Sequence, residues 1–498
     1  MAAMRQDVTK LSGEELDNLV RGFQGIQALS PNDPDSFAQI ASYHGLPAWN
    51  CQHGNVLFPL WHRAYILRLE RALRNVLKDD TFAMPFWNET SDSSAKDGLP
   101  SIFTKKTYEW SDGSGSVPNP LFSYKLQAEI SDPEEGHLYT KPVGYQTVRY
   151  PWSGLVSGDF GAKTEAHNAE VAAKPEAEVT KLLNDNVIAW LTKEVYRGAN
   201  GGERPAGELH KFKECLNAPN YTVFSNTTSA ADWNKKHGSP HIPVVVPLEE
   251  PHNALHLAIG GFSVPGQGDL SAYDFANGDM GDNETAAFDP IFYFHHCFID
   301  YTFWKWQVLN HQTKDLPIDK SLAGVGSRSL ETDLTPFSAL EINGQNRPVK
   351  GKDLVNVNNL GYSYPPVPEL SFLAPNIDAP KLAVTGINRK HISGSFLVTT
   401  WARGDDQTPD RLLKVEPVLS RWNVSQCENC QEHLEVESHI HLLDYTHQEA
   451  KDAKFYSLIH TYGDVQGVGM ESSGIKSVGM KSIGARNSSI NIELRARD

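Results

Sequence analysis

The strongest constraint on this chain is where its histidines fall. There are 19 in all, and two groups of them sit in apolar, helix-forming sequence. The first group lies in SYHGLPAWNCQHGNVLFPLWHRAY, which carries His44, His53 and His62. The second lies in EEPHNALHLAIGG, with His252 and His256, and in FYFHHCFID, with His295 and His296, some forty residues further on. A lone histidine is more often a surface or satisfied core residue than a ligand. Six in buried settings would leave many imidazole nitrogens in need of partners unless a metal takes their lone pairs. A fold that buries them has to bring distant stretches of chain together around metal.

The spacings say how. His252 and His256 are four apart, so on a helix both rings leave from one face and can share an ion. His62 opens a helix from about Pro59 to Lys78, with Ile66, Leu69, Leu73 and Leu77 as its buried stripe. In FDPIFYFHHCFIDYTFWKWQVL, Asp289 reads as an N-cap and Pro290 as the first helical residue. Aromatic residues on every side of this segment predict a helix buried all round. Phe292, His296 and Asp300 follow one another at four-residue steps. That makes His296 the better ligand and Asp300 a candidate to orient it. His295 reads as a hydrogen-bonded neighbour, although sequence leaves the choice between the two open.

The residues between His252 and His256 are Asn253, Ala254 and Leu255, so the general-base glutamate of an HExxH zinc hydrolase is missing. Non-haem iron sites usually include a carboxylate. Imidazole-only triads suit copper, and two of them suit two coppers that bind O2 between them. Zinc remains the alternative on spacing alone. Cys51 stands two residues before His53; it is either a plain buried thiol or a sulfur close enough to bond to the imidazole carbon when copper oxidises the site. Cys427-Glu428-Asn429-Cys430 admits a zinc site, a redox pair or a Cu(I) site, and soft thiolates two apart suit the last.

Composition narrows the partners. Over 498 residues, 45 basic against 61 acidic side chains leave a formal charge of −16, with no basic stripe, so no nucleic acid is expected. With 40% hydrophobic and 21% charged residues the chain reads as globular rather than disordered. No membrane association is expected: the most apolar long stretch, Ile291–Trp304, is broken by His295, His296 and Asp300 and falls short of the ~20 residues of a span. The opening MAAMRQDVTKLSGEELDNL has no apolar signal core, and five scattered cysteines make no disulfide framework. A cytoplasmic protein is the expectation.

Along the chain, Ser12 to Gln27 reads as an amphipathic helix with a Ser12/Glu15 capping box and a Leu16, Leu19, Val20, Phe23 stripe. Residues 88–160 are rich in Gly, Pro, Ser and Asp and read as long ordered loops. Helical pattern returns near 175–198 and 203–216. After about residue 370, KLAVTGI, GSFLVTTW and HIHLLDYT read as strands. The expected fold is therefore a mainly α catalytic domain over 1–370 and a β-rich domain over 376–498. The tail from Gly467, with its GIKSVGMKSIG theme, is expected to be flexible.

Several long strings together resemble one family, the type-3 copper proteins, and in particular fungal-type tyrosinases in latent, full-length form. They are CQHGNVLFPLWHRAY, VPNPLFSYKL, KPVGYQTVRYPWSGLV, YTVFSNTTSAADW, PLEEPHNALHLAIGG and NGDMGDNETAAFDPIFYFHHCFIDY, spread over nearly the whole chain. The resemblance implies two copper ions, the first on His44, His53 and His62 and the second on His252, His256 and His296. It also implies a Cys51–His53 thioether, a core built around a four-helix bundle, and a Tyr362-Ser363-Tyr364 motif closing that core. Glu249 and Asn253 stand where such enzymes hold a water that takes the phenolic proton; alone they would read as a loop acid and a helix-start residue.

For the C-terminal domain the resemblance implies a shield that keeps the enzyme latent and delivers copper through Cys427 and Cys430. An aromatic side chain would occupy the substrate pocket, with Phe396, Trp422, Phe455 and Tyr456 as candidates. The implied activity is O2-dependent hydroxylation of monophenols to o-diphenols and oxidation of these to o-quinones, the chemistry that begins melanin formation. Its partners would be O2, phenols such as tyrosine, L-DOPA or catechols, an activating protease and further copies of the chain. The rivals are a catechol oxidase or o-aminophenol oxidase without the monophenol step, and a haemocyanin-like O2 carrier.

Overall fold

The computed structural model describes residues 3–192, 195–197, 203–205, 207–239, 241–262, 276–339, 344–367, 378–405, 407–443, 445–461, 464–471 and 491–495. Its first helix, Gly13–Ala28, starts where local chemistry dictates: Ser12 and Glu15 form the reciprocal capping box. The helix buries Leu19, Val20, Phe23 and Ile26. It packs closely on the Phe58–Leu77 helix because Gly22 and Gly25 leave only backbone opposite Leu73, Leu77 and Val76. That second helix ends at Lys78 in the left-handed conformation and is buried along most of its length, His62 and Arg63 included.

Two further helices are wholly or almost wholly inside. Glu249–Gly260 has no exposed residue and stops at Gly261, whose φ of 127° only glycine takes readily. Ile291–Leu309 is buried on all sides through its first three turns, as its aromatic content predicts. It begins one residue later than the sequence suggests, with Pro290 as the cap; Asp289 still serves the helix end, accepting from the Ile291 amide at 3.1 Å. A short helix, Phe37–Ala41, capped by Ser36, leads into His44.

The expected helix over 175–198 is shorter, Glu176–Thr192, and is followed by a strand, Val195–Arg197, paired with Glu203–Pro205. The next helix is then only Glu208–Glu214.

Asp300 is the tie between the two ends of the helical part. Its carboxylate accepts from Arg5 (3.1 Å), Arg63 (2.5 Å), Tyr362 (2.8 Å) and Tyr364 (2.6 Å), all buried. The strand Ala3–Met4 pairs in parallel with Tyr362–Ser363 beside it. The sequence reading had Asp300 orienting His296. The structure corrects this: two guanidinium groups and two phenols claim the carboxylate, and it makes no bond to that ring.

The C-terminal region is rich in sheet. Arg411–Val418, Phe396–Ala402, Phe455–Thr461 and Asp464–Glu471 form one antiparallel sheet in that order. Glu435–His441, Lys381–Asn388 and Asn491–Arg495 form a second. Apolar side chains from both, such as Leu382, Val384, Phe396, Leu413 and Ile440, make the clusters they share. Gly467, expected to begin a flexible tail, lies within the Asp464–Glu471 strand, at the irregularity where that strand's register with Phe455–Thr461 shifts. The GIKSVGMKSIG theme itself falls outside the described residues. Among the described residues no helix is long and apolar enough to cross a membrane.

Candidate metal centre

Helices and the loops beside them bring seven imidazoles to the middle of the helical part. His62 sits one turn into its helix, and its Nδ1 donates to the Phe58 carbonyl at 2.8 Å. His44 donates through Nδ1 to the Asn283 carbonyl at 3.2 Å. His53 enters from the loop before the Phe58–Leu77 helix. One ring nitrogen of each of these three lies within 4.8 Å of the others, and all three Nε2 atoms are buried with no hydrogen-bond partner. Three buried nitrogen lone pairs without a hydrogen-bond partner, facing one another, fit a metal ion as their common partner.

Across from them stand His252, His256 and His296. The His296 Nε2 lies 3.3 Å from His252 Nε2 and 3.2 Å from His256 Nε2. Metal–imidazole bonds of about 2.0–2.1 Å in tetrahedral array put their nitrogens roughly 3.3 Å apart, so these three fit one ion. His256 is fixed from behind by Nδ1 donation to the Met280 carbonyl at 2.8 Å, and His252 Nδ1 meets Asn253 Oδ1 at 3.0 Å. The two groups face each other: the His62 and His296 rings stack with centroids 4.4 Å apart, and those of His53 and His252 are 5.6 Å apart.

His295 belongs to the same cluster but is bound differently. Its Nδ1 is 2.6 Å from the buried Glu89 carboxylate, while a ring nitrogen of it also lies within 4.8 Å of those of the three above and its Nε2 is buried without a partner. Glu89 has no counterpart in the sequence reading, because a single carboxylate in a loop 206 residues away carries no spacing signal. Phe292 lies against His296, with centroids 4.0 Å apart, and edge-on to His44 at 4.9 Å.

Electrostatics favour metal over protons. Burial pushes the pKa of every one of these rings down, to about 3 for His62 and His295. The imidazoles are therefore neutral, with lone pairs free for coordination, and the donor set contains no carboxylate among its inward-facing atoms.

Glu249 and Asn253 do come together. The Glu249 carboxylate accepts from Gly54 N at 2.7 Å and from the Thr227 amide and hydroxyl at 2.9 and 3.1 Å. Burial raises its pKa against the pull of those donors. Both residues line a cavity of about 40 Å3 with His53, Thr228 and Arg389, room for a water or two.

A second, smaller cavity lies over Cys51 and His53 and is closed by Leu419, Arg421, Asn429 and His433. Cys51 is a buried free thiol whose sulfur lies 3.7 Å from Arg421 Nη2. Cys427 and Cys430 also border this cavity, and they are joined as a disulfide. In that form neither sulfur is a thiolate, so copper delivery would require the reduced pair.

None of the four aromatic candidates lines either cavity. Phe396 and Phe455 are buried between the C-terminal sheets. Tyr456 bonds Asp410 through its hydroxyl at 2.6 Å, and Trp422 packs on Phe160 with its amide 3.2 Å from Glu284 Oε1. Leu419 is an apolar residue that lines both cavities, and it belongs to the large core cluster that runs from the helical part into the C-terminal sheet. An aliphatic residue at the end of a strand gave the sequence reading nothing to single out.

Comparison with known proteins agrees with this geometry. Residues 34–309 match the family model described as the common central domain of tyrosinase. The tyrosinase HcTyr2 of Hahella sp. (strain CCB-MM4) is 41% identical, over 86% of this chain and 84% of that protein. The tyrosinase of Aspergillus oryzae (strain ATCC 42149 / RIB 40) is 38% identical over 90% of each. The solved structure of a Burkholderia thailandensis tyrosinase superposes with a TM-score of 0.79 at 36% identity, covering 95% of this chain and 100% of that one.

Proposed function

This chain belongs to the tyrosinase family, and from that premise we propose that it hydroxylates monophenols and oxidises the resulting o-diphenols to o-quinones. It is a copper oxidoreductase acting with O2 on phenolic substrates, and its cofactor is the family's binuclear type-3 copper pair. The observation that carries the finer reading is the cavity shared by Glu249 and Asn253 beside two facing triads of neutral imidazoles.

In this reading His44, His53 and His62 hold one copper and His252, His256 and His296 the other. The pair, when bound, supplies the two electrons that activate O2. The protein's own work is to prepare the phenol. A phenol with pKa near ~10 arrives protonated at neutral pH and must lose that proton. Glu249 is clamped by Gly54 and Thr227 in the cavity wall, and its raised pKa suits it to take a proton through a water held with Asn253. Phe292 and the surrounding apolar core exclude bulk water from the rings.

Residues 376–498 act as the shield over a catalytic domain that ends near 370. Four of their side chains, Arg389, Leu419, Arg421 and His433, close the cavities above the histidines. Asn429 donates to the His53 carbonyl at 2.8 Å and accepts from Asn55 at 2.7 Å, laying the region directly on a ligand's backbone. The Cys51 sulfur and the His53 ring share the smaller cavity, and we assign them the thioether.

The test is metal analysis together with an assay. Two coppers per chain, an intense near-ultraviolet band on adding hydrogen peroxide, and turnover of both tyrosine and L-DOPA are expected. Turnover of L-DOPA alone would reduce the activity to that of a catechol oxidase.

A further inference from the structure

One turn touches both groups of histidines. The segment from Asp279 to Glu284 offers its Met280 carbonyl to His256 Nδ1 at 2.8 Å and its Asn283 carbonyl to His44 Nδ1 at 3.2 Å. Each bond fixes a ring so that its Nε2 points inward, and the two rings belong to opposite triads. The turn is seated on the ligand-bearing backbone at two glycines with no room for a side chain. A Cβ at Gly260 would lie 2.2 Å from Gly281 N, and one at Gly45 would lie 2.2 Å from the Asn283 carbonyl oxygen. It is also pinned from outside. Asp279 accepts from the Tyr145 hydroxyl at 2.7 Å and from Val148 N at 2.8 Å, while Leu46 N donates to the Glu284 carbonyl at 3.0 Å.

We propose that the turn of residues 279–284 is a single positioning element for both metals, so that displacing it weakens the two sites together. It touches no reacting atom and acts only through His44 and His256. The proposal rests on the ligand assignment above and adds to it a physical reason for the two sites to behave as one.

The experiment titrates the metal-free full chain with Cu(I) against a competing chelator, in wild type and three variants. Gly260→Ala pushes on the turn without removing any side chain. Asp279→Asn loosens its outer anchor. Asn253→Ala removes the group facing His252 and serves as the one-site comparison. Gly260→Ala is expected to lower affinity at both sites by roughly ten- to a hundredfold, the usual effect of disturbing an outer-shell contact. Asn253→Ala should weaken one equivalent only. Loss of a single copper in Gly260→Ala, or of none, overturns the proposal, and if the circular dichroism of that variant shows it unfolded, Asp279→Asn is judged by the same criterion. A wild-type chain that takes up no copper overturns the ligand assignment itself, a separate result.

Discussion

Lys414 reaches from the C-terminal sheet to within 3.2 Å of the Glu250 carboxylate, at the first turn of the helix that carries His252 and His256. Lys211 approaches the same carboxylate at 3.4 Å, and Lys414 also pairs with Glu416 at 2.7 Å; Lys211, Glu250 and Glu416 are buried and Lys414 partly so. A charge network of this kind holds the C-terminal region on the helix next to Glu249, and removing one member leaves the others with less compensating charge in a poorly solvated setting, Lys211 with Glu208 and Lys414 with Glu416.

Glu250→Gln should therefore loosen that region without proteolysis. Burial would raise the Glu250 pKa, but Lys414 and Lys211 outweigh it and hold it below the usual glutamate value. A lowered carboxylate pKa stabilises docking above the ordinary value of about 4.3 and ceases to do so as pH falls through the depressed one. Because each lysine keeps another carboxylate, the variant is expected to lose less in the docked state than the about 3–5 kcal/mol of a buried charge left wholly without compensation, and to oxidise L-DOPA faster than the intact parent. Brief acidification should do the same for the parent. Equal rates in both proteins would refute the network's role in shielding.

Asn253→Ala removes the amide beside His252 that shares the Glu249 cavity. Its monophenol turnover should fall by about a hundredfold, the lower end of what a positioned proton-handling group contributes, with a much smaller change for L-DOPA. The check is the ratio of the two rates; a ratio unchanged from wild type removes the water-holding role.

Copper counts separate the adjacent histidines. His296→Ala should retain about one copper per chain by elemental analysis, because its Nε2 completes the second triad. His295→Ala should keep both, since its ring is committed to Glu89.

The Cys51–His53 cross-link is a question of mass. Joining sulfur to a ring carbon expels two hydrogens, so the peptide spanning both residues from copper-loaded, oxygen-exposed protein should be lighter by that amount. The Cys51→Ser peptide should show no such deficit.

Much of this centre is readable in the chain because its parts follow periodic rules. The four-residue step of His252 and His256, and the buried aromatic helix around His296, both fold as their spacing implies. Asp300 shows where that logic stops: it lies on the expected helical face, yet Arg5 and Arg63, distant in sequence and fully charged, take it instead. The carbonyls of Met280 and Asn283 could not have been picked out at all, because every residue has a carbonyl and only tertiary placement aims one at an imidazole. Leu419 over the cavity and Glu89 beneath His295 escaped for the same reason.

Trimming offers a last prediction. Cleavage between about 365 and 385, a stretch partly outside the described residues, should raise phenol oxidation; a trimmed chain no faster than the whole would argue against shielding.

The cut would fall downstream of Tyr362 and Tyr364, whose hydroxyls meet Arg5 and Arg63 on the one Asp300 carboxylate. The first and last segments of the catalytic part are thus stapled to each other by groups that all survive the scission. Whatever the lost sheets contributed, the remaining body keeps its own fastening and has no newly frayed end to unravel toward the histidines.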